Sequence, residues 1–66
     1  MEKNYKHIIF QILEKEPMGM TIQEISRLGK MNRFTVTIYI HELLGEGKII
    51  ERKIGAYKLF RIKESK

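Results

Sequence analysis

Residues 21–45, TIQEISRLGKMNRFTVTIYIHELLG, hold two short helical patterns separated by only three residues, and that spacing constrains the fold more than any other feature. Thr21 followed by Glu24 predicts a capping box, in which each side chain satisfies an orphan amide of the first turn. Met20 and Ile25 fall at the N′ and N4 positions of the matching hydrophobic staple, so helix two is expected over about 21–29. Its inward residues are Ile22, Ile25 and Leu28, with Ser26 small enough for another helix to cross closely. Asn32 caps helix three, expected over about 32–45, and Met31 with Val36 forms a second staple. Val36, Ile40, Leu43 and Leu44 recur at core spacing, Tyr39 flanks them, and Phe34, Thr37, Ile38 and His41 take the opposite face. Gly45 and Gly47 stop the helix.

The flanks complete an α+β pattern in one domain, residues 1–66. Helix one is expected over about 4–15, where Tyr5, Ile8, Ile9, Ile12 and Leu13 form one apolar stripe and Phe10 lies at its margin or exposed. Pro17 disfavours helical geometry at Glu16, and Met20-Thr21 is placed to add a very short strand to a later hairpin. Residues 48–54 and 56–62 have strand-like composition with Gly55 between them, which predicts a hairpin over about 48–62. Tyr57/Leu59 and Phe60/Ile62 compete for its buried face, and a bulge would reconcile them. Residues 63–66 are expected to fray.

A chain of 66 residues buries only about 60% of its unfolded surface, and 42% hydrophobic content supplies one core without a roomy catalytic cavity. The sequence contains no cysteine and no aspartate, which excludes disulfides and thiolate metal sites. Its two histidines, His7 and His41, lie in different helices, so no metal site is expected. The eight glutamates do not pair towards a cleft, so neither an enzyme nor a cofactor is expected. No apolar run approaches the roughly 20 residues of a membrane-spanning helix, and the N-terminus is unlike a secretory signal. A cytoplasmic protein with no membrane partner is the expectation. Net charge is +5, and residues 27–63 carry nine Lys or Arg against Glu42, Glu46 and Glu51. A basic region of this kind is the electrostatic footprint of a polyanion binder.

The order and spacing of TIQEIS at 21–26, GKMNRFTV at 29–36, HELLGEGKIIER at 41–52 and IGAYKLFRIK at 54–63 resemble the winged helix-turn-helix family, in particular small regulators common in archaea. The resemblance covers roughly residues 5–63 and implies three helices followed by a β-hairpin wing. It implies that helix three enters the major groove of double-stranded DNA through Asn32, Arg33, Phe34, Thr35, Thr37, Ile38 and His41. Lys30 stands at the helix start for a phosphate, and Arg52, Lys53 and Lys58 place the wing on backbone or minor groove. One departure concerns the turn. The family usually has glycine immediately before the apolar turn residue, whereas here Lys30 precedes Met31 and the glycine is Gly29. A left-handed Lys30 would cost on the order of 1 kcal/mol.

The expected function is therefore sequence-specific DNA binding by a transcriptional regulator, with a possible homodimer through helix one (Tyr5, Phe10) or an exposed apolar patch, and no small-molecule effector. Arg33 can bridge guanine O6 and N7 or contact phosphate alone. Asn32 serves as cap or as adenine reader, and His41 as phosphate contact or plain surface residue. Phe34 and Ile38 either meet thymine methyl groups or form a protein-binding patch. The alternative function is a winged-helix interaction module of a larger assembly that uses this patch.

Overall fold

In the computed structural model, which describes residues 4–63, three helices precede a two-stranded antiparallel sheet. The elements are α1 (Tyr5–Glu14), α2 (Ile22–Gly29), α3 (Arg33–Gly45), β1 (Ile49–Ile54) and β2 (Tyr57–Ile62). Asn4 caps α1 by accepting the His7 amide at 3.0 Å. Ile9 and Leu13 of α1 are buried, and Phe10 packs against the core instead of lying exposed.

Both halves of the capping box are present in α2. The Glu24 amide donates to Thr21 Oγ1 at 3.2 Å, and the Thr21 amide donates to Glu24 Oε1 at 3.0 Å. Leu28 corrects an expectation, since it is 61% exposed while Ile25 is buried. The turn beyond α2 brings Met31 back to the core margin at this end, so Leu28 is left at the surface.

Nine side chains form the core: Ile9, Leu13, Met20, Ile25, Val36, Ile40, Leu43, Ile49 and Phe60. Every helix and both strands contribute, and among the described residues no polar side chain is buried with them. Tyr5 and Tyr39 pack ring to ring at the edge, with centroids 6.2 Å apart.

The hairpin register is regular from Ile49↔Ile62 to Ile54↔Tyr57, without a bulge. Gly55 and Ala56 make a two-residue turn in which only Gly55 has positive φ (58°), the type II′ pattern that suits strand twist. Side chains alternate across a sheet, so Ile49, Glu51 and Lys53 share a face with Ile62, Phe60 and Lys58. Phe60 and Ile62 therefore take the core side, and Tyr57, 66% exposed, lies on the other. Met20 adds a single bridge to the free edge of β2: its amide donates to Phe60 O at 3.0 Å, and Phe60 N donates back at 2.9 Å. Lys63 donates its amide to Lys48 O at 3.0 Å, so pairing continues through the residue where fraying was expected to begin. Residues 64–66, for which fraying was also expected, lie outside the described residues.

Candidate nucleic-acid interface

Two helix exits of the same design frame α3. At its C-terminus the Gly47 amide donates to Leu44 O at 3.0 Å and the Lys48 amide to Leu43 O at 3.1 Å, a Schellman motif with Gly47 left-handed at φ 74°. The exit from α2 repeats it with a lysine. Lys30 N donates to Arg27 O at 3.4 Å and Met31 N to Ser26 O at 3.1 Å, and Lys30 is left-handed at φ 54°, ψ 47°. The cost anticipated for a left-handed Lys30 is thus incurred. Ser26, expected to allow a close helix crossing, is spent on the turn: its hydroxyl donates to Met31 O at 2.6 Å. The missing Cβ of Gly29 leaves room for neighbours, since one there would meet Met31 Cε at 2.7 Å and Ile12 Cδ1 at 3.3 Å. This turn fixes the start of α3 and leaves Lys30 exposed beside it.

Asn32 acts as the cap, its Oδ1 accepting the Phe34 amide at 2.6 Å. Arg33 and His41 are exposed, and Phe34 and Ile38 are 74% and 47% exposed. Thr35 and Thr37 are half-buried, and the Thr37 hydroxyl donates to Arg33 O at 2.9 Å. Phe34, Ile38 and His41 fall one turn apart along one outer stripe. On the hairpin, Lys53 and Lys58 are direct cross-strand partners, whereas Arg52 pairs with Leu59 on the opposite face. The three wing cations expected to act together are therefore split two and one.

The described ion pairs lie elsewhere. Lys6 of α1 contacts Glu42 at 3.2 Å and also Glu46, both on or just beyond α3, and Lys48 lies 3.6 Å from Glu46. The hydrogen bond with Lys6 holds the Glu46 carboxyl below its ordinary 4.5, and the same bond raises the Lys6 ammonium above 10.5. Among the described residues Lys30, Arg33, Arg52, Lys53 and Lys58 make no ion pair, so the cations at the head of α3 and on the hairpin stay uncompensated. Lys6 was not singled out in the sequence, and nothing local marks it, because its partners lie about 40 residues away. Among the described residues, no group of three or more potential ligand side chains could hold a metal ion. No helix there is long and apolar enough to cross a membrane.

Three helices, the α2–α3 turn and the terminal hairpin define a winged helix-turn-helix fold. No protein-family model and no curated protein matches the chain. Among solved structures it is similar to the homodimeric winged helix-turn-helix DNA-binding domain of a Mycobacterium bovis protein, described as a possible ArsR-family transcriptional regulator, with a TM-score of 0.81 over 91% of this chain. At 20% identity the likeness is one of fold, and the chain spans 54% of that structure's length.

Proposed function

We propose that this protein binds double-stranded DNA in a sequence-specific way and acts as a transcriptional regulator in the cytoplasm, with residues 1–66 forming one DNA-binding domain. Helix α3 lies in the major groove, and the hairpin serves as a basic wing on the backbone or minor groove. The observation that carries this reading is the set of exposed cations without ion pairs, distributed over the α2–α3 turn, the first turn of α3 and the wing of a winged helix-turn-helix fold. Lys30 and the Lys53–Lys58 pair bind phosphate, with Arg52 reaching from the other wing face. Arg33 reaches a base edge or phosphate, Thr35, Thr37 and His41 adjoin the backbone, and Asn32 fixes the helix start that presents them.

Its mechanism is occlusion or recruitment at a promoter, without covalent chemistry. A single module of this size offers roughly 600–1,000 Å² of interface, so specificity is strengthened by two copies on a two-fold site. The similar solved domain is homodimeric. Here Phe10 lines an open groove of about 790 Å³ between α1 and the base of the hairpin, which is the surface available to a second copy.

Binding to random-sequence duplex DNA across a salt series tests the reading. Five engaged cations predict a log–log slope between about −3 and −5, given about −0.9 for each neutralised phosphate. A flat response, or no binding near about 50 mM salt, would turn attention to the second reading. That reading, a protein-interaction module, is favoured by the exposure of Phe34 and Ile38.

A further inference from the structure

We infer that the outer face of α3 recognises thymine through its 5-methyl group, with Phe34 and Ile38 as the reading side chains; this rests on the DNA-binding reading above and names what that face recognises. Two polar side chains at the same place are already committed. The Oδ1 of Asn32 accepts the Phe34 amide, so the residue cannot offer adenine the outward amide pair that bidentate reading requires. The Thr37 hydroxyl donates its hydrogen bond to Arg33 O. Beside them two large apolar side chains project from the helix, Phe34 at 74% and Ile38 at 47% exposure, four residues apart on one stripe.

This patch does not complete the core, because Val36, Ile40 and Leu43 on the inward side of α3 already bury that face. Lys30 and Arg33 adjoin it without ion pairs among the described residues, so its partner is anionic around an apolar contact. Duplex DNA combines these two properties in the major groove, where the C5-methyl of thymine is the apolar group presented by a base pair. Side chains four apart on a helix stand about 5–6 Å apart, close to two base-pair steps of about 3.4 Å each. The pair therefore fits methyl groups on base pairs one to two steps apart.

Alternating poly(dA-dT) and alternating poly(dA-dU) differ by that methyl group alone, and the full chain binds them in a direct comparison. The expected preference for the thymine polymer is about fourfold for each methyl group buried. Phe34→Ala and Ile38→Ala should each reduce the ratio towards one, with folding checked by circular dichroism. Both side chains are exposed, and the comparison of polymers with the unaltered protein needs no variant. Equal affinity for the two polymers, or an undiminished ratio in both variants, overturns the inference while leaving DNA binding in place and assigns the patch to a protein partner. Failure to bind either polymer at low salt overturns the inference and the DNA-binding reading together.

Discussion

Lys30 holds a left-handed backbone at φ 54° that costs an L-residue about 1–2 kcal/mol, in a motif that the chain builds with glycine at Gly47. The conformation persists because the turn is over-determined by the Ser26 hydroxyl and the Met31 amide, which bind in opposite directions across it. Lys30→Gly should raise stability by about 0.5–1 kcal/mol, since relief of strain exceeds the added freedom of the unfolded chain. Urea denaturation monitored by circular dichroism measures this, and an unchanged or lower midpoint would show that the turn is unstrained. On the proposed function the same substitution removes a phosphate contact, so stability and DNA affinity should move in opposite directions.

Between elements, the Lys6 bridge from α1 to the end of α3 makes stability depend on pH at both extremes. Glu46 has a depressed folded pKa, so its contribution is present above 4.5 and is lost as pH falls through the lower folded value. Lys6 has a raised pKa, so its share is complete below 10.5 and is lost as pH rises through the higher folded value. Glu46→Gln should lower stability at neutral pH, and its difference from the unaltered protein should shrink in acid below 4.5. Denaturation midpoints of both proteins across the acid range test this, and a gap that persists at the acid end would disprove it. The helices were legible because their caps are local: Thr21/Glu24 and Asn32 announce their starts within three residues. Leu28 and the faces of the hairpin were not, because both are set by which distant element arrives. Met31 displaces Leu28 at one end of the core, and the Met20 bridge holds Phe60 at the other. The conformation of Lys30 was visible in the sequence only as a choice, which the Ser26 hydrogen bonds decide.

At the scale of the whole molecule, the longest dimension is 35 Å, about one turn of duplex DNA. On the proposed function a domain of this size would reach phosphates where its cations are already exposed, and the hairpin places two of them side by side. Lys53 and Lys58 are direct cross-strand partners, an arrangement of like charges that destabilises a sheet unless an anion sits between them. Replacing both with glutamine should reduce the salt slope of DNA binding by about 2, and the folded hairpin should gain slightly in stability. Salt titrations of the double variant check the first outcome, and an unchanged slope would remove the Lys53–Lys58 pair from the interface. Of the candidate site, the cationic residue types could be read from the sequence. The commitment of the Thr37 hydroxyl to a backbone carbonyl could not, since a hydroxyl on a helix surface looks the same whether it faces inward or outward.

Lys6 lies on α1, yet it occupies the carboxylates of both Glu42 and Glu46. Without it, Glu42 would lose its ion pair and Glu46 would keep only the 3.6 Å contact with Lys48, at the C-terminal end of the helix that is proposed to meet DNA. On the proposed function an approaching polyanion would then meet a weaker attractive field, and the encounter rate would fall although Lys6 lies on α1 and not on α3 or the wing. A remote lysine on the first helix would thus, on the proposed function, favour the encounter between α3 and DNA.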